Sequence, residues 1–488
     1  MSRGAFVRSF ADKLAHWWHG PCGGRELLRV ALPLVASSMS WTIMNFTDRM
    51  FLLWYDPACV AAALPAGMIL WTVTALPLGV IMFTTTLVGQ YEGAGNKSRI
   101  GAVLAQAYWS SVAVSPFILS LVPLADIVFR LSGHEPHLAA LEATYLRIAA
   151  LCGPAMLFSG AQSAFFTGRG ETKRVMLVDI TASFINVILD YLWIFGVLGF
   201  PRLGIAGAAW ASVVAQWSKV ALYTIQMLSP RYREYRLGDF LQLEPNLLKR
   251  LWTFGLPNGL QWLLENAAFT LFLLFVGQLG EKAAAATTLA INVNLVAFIP
   301  PLGMGMAVTA LVAQHLGAGN PVLARRAALT GFELAAAYTA ALALLYVLAP
   351  DIFLAFYRIG ADPNSFSHLR PTVIVLLRFV AAYCVFDAMS VIFSAVLRGA
   401  GDTAFLLRVA LWTAPFPGLA TWLGIHGLGW GLLWAWTVLT LWAWILGVVF
   451  LIRYQQGGWE HLRVIEHATQ PQAPAFSRSR PTVEVTHS

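Results

Sequence analysis

Twelve long apolar segments follow one another along the chain, and little polar sequence separates them. A transmembrane helix needs roughly 20 mainly apolar residues, and lipid tolerates only structures that satisfy their own backbone hydrogen bonds. Only 11% of the 488 residues are charged, against about 25% in soluble domains. The sequence therefore predicts an all-α integral membrane protein with twelve transmembrane helices. The segments lie near 28–54, 61–89, 101–125, 138–166, 175–199, 204–229, 250–279, 284–314, 326–349, 371–397, 404–426 and 428–453.

Basic residues are concentrated in alternate connectors between these segments. Loops rich in Lys and Arg stay on the cytoplasmic side of a membrane. An even number of spans then places both termini in the cytoplasm. Because the net charge of +8 is spread over connectors rather than gathered on one face, we expect no nucleic-acid partner. The basic connectors contain Lys97 and Arg99; Arg169, Lys173 and Arg174; Arg231, Arg233, Arg236, Lys249 and Arg250; Arg325 and Arg326; and Arg398.

The sequence repeats itself at a spacing of 224 residues, which indicates two copies of one six-span unit. Because six is even, both copies cross the membrane in the same sense. A pseudo-two-fold axis along the membrane normal should therefore relate two six-helix lobes, an arrangement typical of secondary transporters. The matching blocks are Leu32-Pro33 with Leu256-Pro257, Pro77-Leu78-Gly79 with Pro301-Leu302-Gly303, Gln90 with Gln314, and Gly93-Ala94-Gly95-Asn96 with Gly317-Ala318-Gly319-Asn320.

These patterns divide the chain into five parts. We expect a cytoplasmic amino-terminal arm over 1–27, a first six-helix lobe over 28–229 and a cytoplasmic linker over 230–249. The second six-helix lobe covers 250–453. The remaining segment, 454–488, is rich in polar residues and proline, and we expect it to be a disordered cytoplasmic tail.

Intramembrane carboxyl groups are the candidates for function in the first lobe, because burying a charge in a bilayer is costly unless it is paired or neutralised. Asp48 lies in the first span, and Asn186 and Asp190 lie four residues apart in the fifth, on one helix face. Such groups can bind a proton or a cation. The alternative is a polar pair that holds helices together. Asp179 lies near a basic connector, where a surface role is favoured.

The second lobe carries a different pair, Glu265 and Asp387. Under the repeat, Trp41 matches Glu265, and Met156 falls roughly opposite Asp387, so neither acid is a copy from the first lobe. This asymmetry predicts two different ion sites on one symmetric scaffold. A structural ion pair is the alternative.

Pro33 and Pro257 occupy matched positions in the first span of each lobe and are the hinge candidates, although proline also makes static kinks. The glycine-rich turns lack the residues of a phosphate-binding loop, and no zinc-type spacing is present. We therefore expect no nucleotide, no catalytic residue and no metal centre of the zinc type.

The doubled block ending VGQYEGAGN and VAQHLGAGN, the turns GRGETK and LRGAGDT, and NVILDYLWIFG resemble the multidrug and toxic compound extrusion (MATE) family. The resemblance covers about 25–453. It implies two six-helix lobes around a V-shaped cleft, and export of cationic or amphipathic organic compounds in exchange for H⁺ or Na⁺. It also implies that Asp48, Asn186 and Asp190 form the first-lobe site, and that Glu265 and Asp387 match acids of the Na⁺-coupled bacterial branch.

We therefore predict a secondary active exporter and not an enzyme, with H⁺ or Na⁺ as coupling ion and no other cofactor. Its partners are organic cargo and the bilayer of the plasma or inner membrane, and we expect a monomer. A flippase for lipids or lipid-linked sugars is an alternative, kept open by Arg49 and Arg378 in the first and tenth spans. A membrane-embedded enzyme or a channel fits the sequence less well, and the cargo and the coupling ion stay open.

Overall fold

The computed structural model describes residues 15, 17–239, 242–358 and 363–466, and this part of the chain is helical without a β-strand. Within it, eleven helices are long and apolar enough to cross a membrane, and Ile205–Met227 is a further helix of 23 residues between the fifth and the sixth of them. The predicted all-α class and the twelve segments are confirmed. In chain order the helices are α1 Gly24–Tyr55, α2 Pro57–Gly93, α3 Lys97–Leu131, α4 Pro136–Gly168, α5 Thr172–Phe195, α6 Ile205–Met227, α7 Pro245–Gly277, α8 Glu281–Gly317, α9 Pro321–Leu348, α10 Pro363–Ala400, α11 Thr403–Gly427 and α12 Leu432–Gln455.

Short polar turns end one helix and begin the next. Asp56 accepts a hydrogen bond from the Ala58 backbone N–H (2.9 Å) and so caps α2. In the repeated Gly-Ala-Gly-Asn turns, Gly95 and Gly319 adopt φ of +70° and +72°, a conformation that only glycine adopts readily. The repeat is thus visible first as two identical helix-ending turns.

The two lobes meet where α1 and α2 pack against α7 and α8. The closest approaches follow the 224-residue repeat. A Cβ on Gly79 would lie 2.5 Å from Cα of Gly259, and a Cβ on Gly303 would lie 2.6 Å from Cγ2 of Val35. A shift of 224 residues takes Gly79 to Gly303 and Val35 to Gly259. The repeat therefore relates the Gly79–Gly259 contact to the Gly303–Val35 contact. The predicted pseudo-two-fold relation is therefore present in the packing.

The described part of the amino-terminal arm packs on the second lobe. Trp17 Nε1 donates to Glu333 Oε2 (2.6 Å), and Cys22 Sγ lies 2.9 Å from His315 Nε2. The arm was expected over 1–27, but α1 already begins at Gly24. Residues 1–14 and 16 lie outside the described residues.

The linker expected over 230–249 is shorter, because α7 begins at Pro245. Proline suits a first helical position, where no backbone N–H is needed. Before it, two 3₁₀ turns pack on the first lobe, with Tyr232 and Tyr235 buried around Arg169. The Arg169 guanidinium lies 4.9 and 4.1 Å from the two ring centres.

The start of the carboxy-terminal segment differs from the expected disorder. Trp459 is fully buried, its Nε1 donates to Tyr454 O (2.9 Å), and the two rings stack at 5.5 Å. The Val464 backbone N–H donates to Gln90 Oε1 (3.0 Å). A few apolar residues that pack against the helices therefore hold this segment in place, although its sequence has no periodic apolar pattern. Residues 467–488 lie outside the described part.

Candidate functional site: two carboxyl clusters

The first-lobe cluster joins α1 to α5. With its amide nitrogen facing the carboxyl groups, Asn186 donates to Asp48 Oδ1 (2.9 Å) and to Asp190 Oδ2 (3.1 Å). Asp48 and Asp190 also lie within hydrogen-bonding reach of each other. Asn186 and Asp190 are fully buried, which follows from their spacing of four on the packed face of α5. The structure thus brings together the three residues that the sequence singled out in this lobe.

One oxygen of this cluster lacks a hydrogen-bond donor while both acids are ionised. Asp190 Oδ1 is buried and makes no hydrogen bond within the described residues. An unpaired, buried carboxylate oxygen costs free energy unless a proton or a cation satisfies it. The arrangement therefore suits a group that gains and loses a cation.

Tyr145 on α4 belongs to the same neighbourhood, because its hydroxyl group interacts electrostatically with Asp48 and Asp190. The sequence analysis missed it. Tyrosine at a membrane helix position is common enough that a single chain gives no signal for choosing this one.

The second-lobe cluster joins α7 to α10. Gln261 Nε2 donates to Glu265 Oε1 (3.0 Å), one helical turn away. Glu265 and Asp387 are both half-buried, and their charges act on each other. Buried Tyr383 lies one turn before Asp387 and interacts with it electrostatically. The two acids therefore interact electrostatically, although they are 122 residues apart in the sequence.

Two arginines on the helices that carry these acids have exposed side chains. Arg49 and Arg378 are both exposed, as expected when neighbouring helix positions point in different directions. Arg398, assigned to a connector from the sequence, instead lies in the last turn of α10. It is half-buried, and its Nε donates to Asn258 Oδ1 (2.6 Å).

Asp179 does not have the surface role expected from its nearness to a basic connector. It pairs with Lys219 Nζ on α6 (2.9 Å) and accepts a hydrogen bond from Ser37 on α1. The side chains of Asp179 and Lys219 are only 16% and 15% exposed. The sequence analysis missed Lys219, although a lysine in the middle of an apolar segment was itself a signal.

Glu142 is a third omission. It is fully buried in α4, and both its carboxyl oxygens lie 2.9 Å from Nδ1 of His134. It lies inside the predicted span 138–166, so its carboxyl group was itself a signal that the sequence analysis passed over.

Pro33 and Pro257 lie inside α1 and α7. Both stand beside the contact between the lobes, because Pro33 is two residues from Val35 and Pro257 is two residues from Gly259. Among the described residues, no group of three or more His, Cys, Asp and Glu side chains could hold a metal ion.

Comparison with known proteins agrees with this architecture. A family model described as MatE matches residues 33–192 and 257–419. "Probable multidrug resistance protein NorM" of Pseudomonas putida is 30% identical over 423 residues, which cover 86% of this chain and 91% of that protein. "Multidrug resistance protein PmpM" of Pseudomonas aeruginosa is 28% identical over 398 residues, covering 79% and 80%.

Solved structures share the fold. One described as the outward-facing conformation of a multidrug resistance MATE family transporter of the MOP superfamily superimposes with a TM-score of 0.81 at 21% identity. The match covers 92% of this chain and 98% of that one. A MOP superfamily transporter from Pyrococcus furiosus, described as having a binding pocket of reverse polarity, gives a TM-score of 0.80 at 21% identity, with 91% and 97% covered.

Proposed function

The chain belongs to the multidrug and toxic compound extrusion (MATE) family of transporters, and we propose that it exports cationic or amphipathic organic compounds in exchange for H⁺ or Na⁺. It is a multi-pass membrane protein and not an enzyme. We further propose that it lies in the inner membrane with both termini cytoplasmic, and that 28–229 and 250–453 act as the two moving lobes.

The Asp48–Asn186–Asp190 cluster carries this proposal. A carboxyl group with an unpartnered buried oxygen is stabilised by a proton or a cation and destabilised when that ion leaves. Cargo and ion then exclude each other if the binding of one favours the lobe arrangement that the other disfavours. Glu265 and Asp387 supply a second site of this kind, and no covalent step is needed.

Alternating access also requires a seal that opens on one side at a time. The repeated Gly-Ala-Gly-Asn turns bring the lobes together on one side: a Cβ on Gly93 would lie 1.8 Å from Gln314 O, and one on Gly317 would lie 2.1 Å from Gln90 O. These turns adjoin Lys97, so the positive-inside rule assigns that side to the cytoplasm. We infer an outward-facing arrangement, with the cytoplasmic seal closed.

A transport assay with purified protein in liposomes tests the proposal. A fluorescent organic cation is the cargo, and a proton gradient and a Na⁺ gradient are imposed separately. Asp190→Asn and Asp387→Asn should each reduce cargo movement at least about tenfold, which corresponds to about 1.4 kcal/mol of lost coupling. Asp126→Asn is the matched control, because Asp126 is 47% exposed and pairs with Arg147.

The two gradients distinguish the outcomes. Movement driven by only one gradient identifies the coupling ion. Wild-type protein that responds to neither gradient would refute the antiporter, and normal transport by both Asn variants would refute the assigned ion sites. The flippase alternative rests on Arg49 and Arg378, which are exposed side chains of α1 and α10, and it stays the alternative to drug export.

A further inference from the structure

Arg398 connects α10 of the second lobe to the contact that joins the lobes. Its Nε donates to Asn258 Oδ1 (2.6 Å), and Asn258 Nδ2 donates across the lobe boundary to Gly79 O (2.7 Å). Asn258 is fully buried. The Arg398 carbonyl accepts a further bond from Thr86 Oγ1 of the first lobe (3.0 Å). Arg398 is thus tied to the first lobe through both its side chain and its backbone.

The same guanidinium group also lies beside α7, the helix that carries Glu265. Its central carbon lies 5.9 Å from the ring centre of Trp262, which is three residues before Glu265 on α7. The charges of Arg398 and Glu265 act on each other, and Glu265 in turn acts on Asp387. Asn258, Gln261 and Glu265 are spaced three and four apart, so they form one polar stripe along α7.

We propose that Arg398 is a positioning residue that couples cation occupancy at Glu265 and Asp387 to the lobe contact Asn258–Gly79. The inference rests on the proposed ion exchange and adds a way in which cation binding changes the contact between the lobes. A cation on Glu265 cancels the negative charge that attracts the guanidinium. The guanidinium then redistributes between Glu265 and Asn258, and the hydrogen bond that Asn258 makes to the first lobe changes in strength because linked hydrogen bonds polarise one another.

Two measurements on the purified full chain test this coupling. Cation affinity is taken from the rise in melting temperature with concentration of the coupling cation, since a ligand that binds the folded state stabilises it. The lobe arrangement is taken from the distance between spin labels at Ser98 and Val322, which are exposed and lie one in each lobe.

The variants distinguish the effect of the Arg398 charge from the effect of the Asn258–Gly79 hydrogen bond. Arg398→Gln removes a positive charge beside the acids, so it should lower the half-saturating cation concentration about fivefold and abolish the cation-induced change in distance. Asn258→Ala leaves the charge in place, so it should abolish the distance change without tightening cation binding. Arg398→Lys should keep the wild-type cation affinity. Arg408→Gln is the matched control, because Arg408 is exposed and lies 5.8 Å from an aromatic ring centre, Phe405.

An arginine with a merely structural role would not tighten cation binding when it is removed. The inference is overturned if Arg398→Gln binds the cation no more tightly, or if Arg398→Gln and Asn258→Ala keep the wild-type distance change. If Arg398→Gln fails to fold, wild-type behaviour of Asn258→Ala overturns it equally. If no cation changes the label distance in the wild-type protein, the proposed ion exchange itself is overturned, and this inference fails with it.

Discussion

Gln90 and Gln314, related by the 224-residue repeat, donate hydrogen bonds across the lobe boundary in opposite directions. Gln90 Nε2 donates to Gly399 O in the second lobe (3.3 Å), and Gln314 Nε2 donates to Gly168 O in the first (2.7 Å). Gly168 lies in the GRGETK turn at the end of α4, and Gly399 lies in the matching LRGAGDT turn at the end of α10. The doubled motifs are therefore the two halves of one interface, which accounts for their occurrence as matched pairs.

Replacing Gln314 with leucine should weaken this seal. The substitution removes the bond and leaves the Gly168 carbonyl without that donor, at a cost of about 1–3 kcal/mol. A two-state equilibrium shifts about 5–150-fold for such a change. The distance between spin labels at Ser98 and Val322 should therefore gain a longer component.

Gln162→Leu is the control for this prediction. Gln162 is also buried and also donates through Nε2, but to Thr224 Oγ1 within the first lobe (2.8 Å). It should lower the melting temperature without changing the label distance. An unchanged distance in Gln314→Leu would show that the two bonds do not hold the seal.

Alanine at Gly93 or Gly317 should be poorly tolerated. The added Cβ would meet the backbone carbonyl of Gln314 or Gln90 at 1.8 or 2.1 Å, so the helices would have to separate, at about 1–3 kcal/mol. Gly67→Ala is the control, since no atom lies within 4 Å of that Cβ, and alanine favours a helix. Thermal unfolding in detergent compares the three, and equal melting temperatures would contradict the close approach.

The Asp179–Lys219 pair predicts a charge-dependent loss of stability. Lys219→Met leaves Asp179 buried without its cation, and breaking such a pair costs about 3–5 kcal/mol. Adding Asp179→Asn removes the uncompensated charge, so the double variant should recover most of the lost melting temperature. If the double variant is no more stable than Lys219→Met, the pair does not contribute through its charge.

The sequence predicted the twelve helices and their symmetry because hydropathy and the repeat are properties of the chain itself. Spacing also predicted the Asn186 and Asp190 pair, since the two share a helix face, and neither of these predictions needed knowledge of which helices are neighbours. The grouping of Asp48 with that pair came from the resemblance to the MATE family.

The groups that were missed depend on such knowledge. Lys219 is important because it pairs with Asp179 on another helix, and Arg398 because it donates a hydrogen bond to Asn258 on α7. Trp459 was assigned to a disordered tail, because a single buried ring leaves no periodic pattern. Pairings across helices are set by tertiary packing, which one sequence does not reveal.

Trp459→Ala should release the segment that follows α12. The indole is fully buried against Tyr454, and removing it costs about 3–5 kcal/mol. The segment beyond it joins both lobes, because the Val464 N–H donates to Gln90 and the Val464 carbonyl accepts from Arg250 Nη1 (3.1 Å). Its loss should therefore lower the melting temperature and also lengthen the distance between labels at Ser98 and Val322. Trp412→Ala, at a ring that is 85% exposed, should change neither quantity. A lower melting temperature at an unchanged distance would mean that the segment stabilises the second lobe alone and does not hold the two lobes together.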